Sequence, residues 1–183
     1  MSTDNHETET DKKSPGTIIF KWWAQHIGNR ETASARGLAA RLNRADAVGA
    51  LSEPAVHALM QSLDWRPTPW HVEVLLRLAL VLPQVREHTH ASLAQRLGAG
   101  DPPAMSTLRF QRLIRADGEE LVTALRRALP LVDRRCNVAA LGRDLVYWSQ
   151  RDDSVRTRWC FDYFGAVAPA ATTETLATEE EIT

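Results

Sequence analysis

RFQRLIRADGEELVTALRRALPL, residues 109–131, combines five arginines with regularly spaced leucine, isoleucine and phenylalanine side chains. The apolar side chains recur every three or four residues: Phe110, Leu113 and Ile114, then Leu121, Val122, Leu125 and Leu129. This spacing is typical of helices that bury one face. The stretch therefore predicts two amphipathic helices, near 106–116 and 118–129, and Pro130 closes the second.

The arginines of this stretch point away from the apolar stripes. At about 100° per residue, Arg109, Arg112 and Arg115 form a row on the exposed side of the first helix. In the second helix, Arg126 falls on the flank of the stripe and Arg127 on the opposite face. Since residues 105–116 contain no acidic side chain, their like charges cost stability unless something negative binds there. Phosphate groups are the expected ligands.

The remainder of the chain also has the helical period and lacks the sustained alternation that strands require. Helices are expected near 17–28, 31–45, 53–64, 69–82, 91–97, 106–116, 118–129, 138–150 and 153–165. Ser52, Ser106 and Asn137 are expected N-caps. The predicted fold is all-α, a compact helical bundle of about eight to nine helices in two packed lobes.

Composition divides the chain into four segments. Residues 1–16 and 166–183 are acidic ends, and we expect them to be disordered because they contain too little apolar surface to offset the entropy of ordering. Residues 17–98 and 104–165 are the expected N-terminal and C-terminal helical lobes. The AGDPPA segment, residues 99–104, is the expected linker between them.

The net charge of −1 conceals a basic body between acidic ends. Residues 14–165 carry 20 basic and 15 acidic side chains, and 19 of those bases are arginine. Arginine's planar fork suits phosphate binding, although a GC-rich genome favours arginine codons without selection for binding. The placement of the arginines is therefore more informative than their number.

Membrane, secreted and disulfide-stabilised classes are not expected. The longest apolar run, residues 72–82, is interrupted by two charges and is too short to span a bilayer. The N-terminus is polar and offers no secretory signal, so we expect a cytoplasmic protein. Cys136 and Cys160 lie in neither a CxxC nor a zinc-type spacing and are expected to be reduced thiols.

Catalytic, cofactor and metal motifs are missing from the sequence. The six histidines are scattered along the chain apart from His88 and His90, and their segment EHTH, residues 87–90, lacks a third spaced ligand. No phosphate-binding glycine motif is present, so no enzyme activity, cofactor or metal is expected. The six tryptophans are expected in the core, with Trp22 or Trp23 at an interface because adjacent residues do not both face one core.

Five segments resemble, in order and spacing, the CasB-type small subunit of the type I-E CRISPR Cascade complex. They are SLAQRL (92–97), RFQRLIRAD (109–117), LVTALRRALPL (121–131), DLVYW (144–148) and VRTRWCFDYF (155–164). The resemblance covers roughly residues 17–165 and implies an all-helical, non-catalytic protein present as two copies. It also implies contacts with other Cascade subunits and a basic face that holds the heteroduplex of crRNA and target DNA and the displaced non-target strand, stabilising the R-loop.

The candidate nucleic-acid-binding residues are the arginines on the exposed faces of four predicted helices. They are Arg36, Arg41, Arg44, Arg109, Arg112, Arg115, Arg126, Arg127 and Arg143. The sequence does not separate phosphate contacts from ion pairs with neighbouring subunits.

The sequence is also compatible with two other functions. Residues 91–117 read as a helix, a turn and a second helix with outward arginines, which is the pattern of a helix-turn-helix DNA-binding transcriptional regulator. Against it, the GAGDPPA connection is longer than the usual turn of 3–4 residues. The second alternative is a structural adaptor whose arginines meet acidic protein surfaces.

Overall fold

The computed structural model describes residues 14–165. The disorder predicted for the acidic ends falls almost entirely on residues 1–13 and 166–183, which lie outside the described residues. The first helix begins at Pro15, two residues before its predicted start at residue 17.

Ten α-helices form the described part of the chain. They are α1 Pro15–Trp23, α2 Ala33–Arg44, α3 Ala47–Leu51, α4 Pro54–Ser62, α5 Pro69–Val81, α6 Leu93–Gly98, α7 Thr107–Arg115, α8 Gly118–Ala128, α9 Val138–Tyr147 and α10 Ser154–Phe164. A π-helix, Ala24–Gly28, continues α1, and 3₁₀ turns at Leu82–Gln84 and Leu129–Val132 extend α5 and α8. The all-α prediction is confirmed, with α3 added to the nine predicted helices.

Two short strands were not predicted from the sequence. Strand β1, Glu87–His88, pairs in parallel with β2, Arg135–Cys136, with Glu87 opposite Arg135. The pair ties the segment before α6 to the segment before α9. Of residues 14–165, no helix has both the length and the apolar character needed to cross a membrane.

Capping residues set most of the helix starts. Side chains of seven N-cap residues accept a backbone hydrogen bond from the first turn: Ser14, Thr32, Asp46, Thr68, Ser92, Asp117 and Asn137. The prediction for Asn137 is therefore confirmed. Ser106 stands at the N-cap of α7 without a side-chain bond. The prediction for Ser52 is wrong, because Glu53 precedes α4 and the Ser52 hydroxyl donates to the Val48 carbonyl at the end of α3.

One hydrophobic cluster contains residues from both predicted lobes. Within it, α1 packs closely against α9, where glycines let the two backbones approach. A Cβ at Gly142 would lie 2.6 Å from Cγ2 of Ile19, and one at Gly16 would lie 2.5 Å from the carbonyl oxygen of Ala139. The division into two lobes remains a prediction.

The expectation that Trp22 or Trp23 faces an interface is wrong. Their exposed fractions are 3% and 5%, because α1 is covered on more than one side. The Trp22 indole donates to the Ala55 carbonyl of α4 at 2.7 Å. Trp23 stacks on Phe20 at a ring distance of 6.3 Å, so neighbouring residues enter the core from two directions.

Candidate nucleic-acid interface

Helices α7 and α8 meet at a corner, residues 116–117, that hydrogen bonds hold in place. Trp148, the C-cap residue of α9, is fully buried and donates from its indole to the Ala116 carbonyl at 2.9 Å. Asp117 accepts from the Gly118 amide at 2.8 Å and from the Ser149 hydroxyl at 2.7 Å. These bonds fix the angle between the two helices and therefore the relation between their exposed faces.

Nearby positive charges also stabilise the ionised side chain of Asp117. Burial alone would raise the pKa of its carboxyl group, but hydrogen bonds from Ser149 and Gly118 and the charges of Arg77 and Arg156 outweigh it, so the pKa lies below its ordinary value. The carboxylate stays ionised at neutral pH and keeps these partners in place.

The apolar faces of the two helices point inward, as predicted. Phe110, Leu113, Leu121 and Leu125 are at most 1% exposed. Phe110 stacks on Tyr163 of α10 with ring centroids 3.9 Å apart. Burial of these faces leaves the arginines of the opposite faces in solvent.

A groove of about 470 Å³ runs between α7 and α8. Arg109, Arg112 and Arg127 line it, and Met105, Leu113, Ala116, Ala124 and Leu131 provide an apolar floor. An adjoining depression of about 440 Å³ shares Arg112 with the groove and adds Arg115. We call these four arginines, with the two depressions they line, the arginine groove.

The four guanidinium groups of the arginine groove have no partner of their own among residues 14–165. All four side chains are exposed, and none forms a hydrogen bond or ion pair with another described residue. One acidic residue, Glu120, borders both depressions. The groove therefore presents four permanent positive charges against one negative charge.

The other candidate arginines lie away from the groove and most have partners. Arg126 donates to the Asn43 carbonyl of α2, and Arg36 donates to the Arg30 and Glu31 carbonyls at 3.1 and 2.7 Å. Arg41 binds Glu53 through two hydrogen bonds of 2.5 and 2.9 Å.

Arg143 and Arg44 complete the set. Arg143 lies 3.4 Å from buried Asp144, whose carboxylate also accepts from Arg158 and from the Trp159 indole. The Arg44 side chain is exposed and unpaired among the described residues, and it ends α2, where a positive charge favours the helix dipole. The structure thus brings together four of the nine predicted arginines.

Sequence reasoning missed other parts of the groove. Leu131 is 39% exposed and lines the groove together with Arg127. The only indication of this exposure in the sequence was its position directly after Pro130, which ends the predicted helix.

The side chains of three further exposed arginines, Arg66, Arg86 and Arg151, form no hydrogen bond or ion pair within the described chain. They lie outside the groove and provide a comparison set.

The described residues hold no group of three or more His, Cys, Asp or Glu arranged to bind a metal ion. Cys136 is buried, and burial raises the pKa of its thiol to about 12, which makes it a poor nucleophile. The groove is instead suited to holding an anion by fixed positive charge.

Comparison with known proteins agrees with this fold. The sequence model of the family described as CRISPR-associated protein Cse2 matches residues 7–164. The chain belongs to the CRISPR-associated Cse2 family. The resemblance to CasB-type proteins is therefore confirmed, and Cse2 membership identifies the chain as a CRISPR-associated Cascade subunit.

Named relatives come from Thermus thermophilus. A CRISPR-associated protein Cse2 of this organism is 28% identical over 158 residues, covering 85% of this chain and 93% of the relative. A crystal structure of a Cse2-family protein of the same organism superposes with a TM-score of 0.61 at 25% identity, over 84% of this chain and 99% of that one. A crystal structure of CasB from Thermus thermophilus gives a TM-score of 0.63 at 23% identity, with the same coverage.

Proposed function

We propose that this protein is a non-catalytic small subunit of an RNA-guided surveillance complex, and that its arginine groove holds the sugar-phosphate backbone of nucleic acid to stabilise the R-loop. The observation that carries the proposal is the gathering of Arg109, Arg112, Arg115 and Arg127 on one surface without partners in the described chain. Its ligands are the displaced non-target strand and the heteroduplex of crRNA and target DNA.

Such a subunit needs to contribute only a small free energy to stabilise the R-loop. In RNA-guided recognition, base pairing reads the sequence, and exchange of a DNA duplex for an RNA–DNA heteroduplex is nearly balanced in free energy. Contacts between the protein and the sugar-phosphate backbone therefore shift the strand exchange towards the R-loop. Arginines that form no ion pair within the described chain serve this purpose because they release counterions from the nucleic acid without first breaking such a pair.

The remaining arginines and the protein partners extend the proposal. Assembly requires contacts with other Cascade subunits and with a second copy of the chain. Arg36, Arg41, Arg126 and Arg143 have partners inside the chain, so we assign them first to holding the fold. Arg44, whose side chain is unpaired within the described residues, remains a candidate for phosphate or subunit contact.

The test is to replace Arg109, Arg112 and Arg127 with alanine in the reconstituted complex. The matched control replaces Arg66, Arg86 and Arg151, which removes the same charge from exposed, unpaired positions outside the groove. We expect the groove variant to assemble and its R-loop lifetime to fall about tenfold, equivalent to about 1.4 kcal/mol. The control should retain most of the lifetime.

Other outcomes would contradict the proposal. Failed assembly with an intact R-loop in any residual complex would favour a structural adaptor whose arginines meet acidic proteins. Equal effects of the two triple variants would show that total charge matters rather than the groove.

The helix-turn-helix regulator makes a different prediction. It requires one duplex sequence that binds far more tightly than others. Helices α6 and α7 are separated by residues 99–106, longer than the usual turn of 3–4 residues. We therefore expect unrelated duplexes and single strands to compete alike for the isolated protein.

A further inference from the structure

The C-terminal segment, residues 166–183, has the composition of a ligand for the arginine groove. It contains four glutamates and no lysine or arginine: Glu174, Glu179, Glu180 and Glu181. Two large apolar residues, Leu176 and Ile182, are interspersed with these acids. The Cse2 family match ends at residue 164, so the segment lies beyond the matched region.

The described fold ends with a helical turn of α10 that contacts α7 and Met105. The Tyr163 hydroxyl, in the last turn of α10, donates to the Met105 carbonyl at 2.6 Å, and Met105 lines the groove. The ring of Phe164 meets the ring of Phe110 on α7 at 6.4 Å. Gly165 and Thr107, at the start of α7, line one depression separate from the groove, so the described chain ends near the helix that carries three of the four groove arginines.

The segment is long enough to reach every groove arginine. Glu174 lies nine residues beyond Gly165, a span of up to roughly 30 Å for extended chain. Helix α7 has nine residues and is about 14 Å long and about 10–12 Å across. The acidic residues can pass along or around α7 without strain.

The chemistry of the two surfaces is complementary. The groove combines guanidinium groups with an apolar floor that includes half-exposed Leu131, and the segment combines carboxylates with Leu176 and Ile182. We propose that residues 174–182 of the same chain dock in the arginine groove and are displaced when nucleic acid binds. The docking stands on these observations alone, whereas the displacement rests on the proposed function.

A tethered competitor needs only weak intrinsic affinity. A short linker gives an effective concentration in the millimolar range. If the segment's own Kd is about one third of that concentration, the apparent affinity for nucleic acid falls about fourfold. Because the attraction is between charges near solvent, the effect should fade as added salt shortens the screening length.

The test uses the full chain with Glu174, Glu179, Glu180 and Glu181 replaced by glutamine. This keeps the length and the apolar residues of the segment. The matched control replaces Asp4 and Asp11 with asparagine and Glu7 and Glu9 with glutamine, which removes four carboxylates from the other end.

Two measurements separate the docking from its consequence. Side-chain N–H resonances from NMR should shift in the C-terminal variant for the groove arginines and not for Arg66 or Arg151. Binding of a thymine oligonucleotide at about 50 mM salt should tighten about fourfold, and the difference should vanish near about 0.5 M salt. The N-terminal control should show neither change.

Each outcome has a defined meaning. Unchanged groove resonances in the C-terminal variant overturn the docking, whatever the oligonucleotide does. Shifted groove resonances with unchanged oligonucleotide binding support the docking and contradict the proposed role of the groove. Equal changes in both variants overturn the docking, because they report total acidity rather than one segment.

Discussion

Two neighbouring arginines, Arg126 and Arg127, have different surroundings although the sequence treats them as a pair. Arg126 is partly buried and donates to the Asn43 carbonyl at the end of α2. Arg127 is exposed and lines the arginine groove. Successive residues of α8 point about 100° apart. Arg126 therefore makes a structural contact, whereas Arg127 is a candidate for a phosphate contact.

Alanine at these two positions should therefore give opposite results. Arg126→Ala leaves a carbonyl without its donor and should lower the free energy of unfolding by about 1 kcal/mol, with an unchanged salt dependence of oligonucleotide binding. Arg127→Ala should change stability by less than about 0.5 kcal/mol and flatten the log–log salt slope by about 0.7. Urea denaturation and a salt titration measure the two quantities; a salt-slope change in Arg126→Ala alone would reverse the assignment.

We expect His88 to make the stability of the fold depend on pH. Its Nδ1 accepts a hydrogen bond from the Val138 amide at the start of α9, at 3.1 Å, and its ring packs on Phe20 at 4.5 Å. Burial, and then the charge of His90, lower the pKa of the imidazole. The unfolded chain therefore binds a proton at this site more readily than the folded chain.

The sign of the pH dependence follows from that difference. The contribution of His88 to stability is complete above the ordinary histidine pKa of about 6.5 and is lost as pH falls through the lower folded value. His88→Asn keeps an acceptor for Val138 and removes the titration, so its urea midpoint should change less than that of the wild type between about pH 7 and pH 5. His88→Ala should be less stable throughout; an unchanged pH profile in His88→Asn would contradict the role of His88.

At the scale of elements, glycine sets the distance between α1 and α9. A Cβ at Gly142 would lie 2.6 Å from the Ile19 side chain, whereas one at Gly37 on α2 meets only the end of Arg41, at 3.3 Å. Gly142→Ala should lower stability by about 1–2 kcal/mol through overpacking. Gly37→Ala should raise it by about 0.5–1 kcal/mol through helix propensity. Urea denaturation measures both, and destabilisation of equal size would refute the close-contact explanation.

The helices that could be predicted are those whose own period specifies a buried face. Helices α7, α8 and α9 have apolar residues at every expected position, and those residues are buried or half-buried. Helix α3 has five residues, too few to show a period, and the two-residue strands β1 and β2 depend on pairing between distant segments. Ser52 was misassigned because a serine between two helices can serve either neighbour.

At the scale of the whole molecule, the sequence could establish that the arginines are exposed but not which of them share a surface. Arg109, Arg112 and Arg115 follow from one helical period. Arg127 joins them only because the corner at Asp117 sets the angle between α7 and α8. The pairing of Arg41 with Glu53, twelve residues away, depends on how α2 lies beside the start of α4.

The described fold should unfold as one cooperative unit. Helix α1, from the first predicted lobe, packs against α9 of the second, and one hydrophobic cluster includes residues of both. We expect the urea transitions followed by far-ultraviolet circular dichroism and by tryptophan fluorescence to coincide. Gly142→Ala should move both midpoints down together, and Gly37→Ala should move both up, without changing the slope of either transition. Separate midpoints for the two probes, or a Gly142→Ala effect confined to one of them, would instead show that the lobes 17–98 and 104–165 unfold independently.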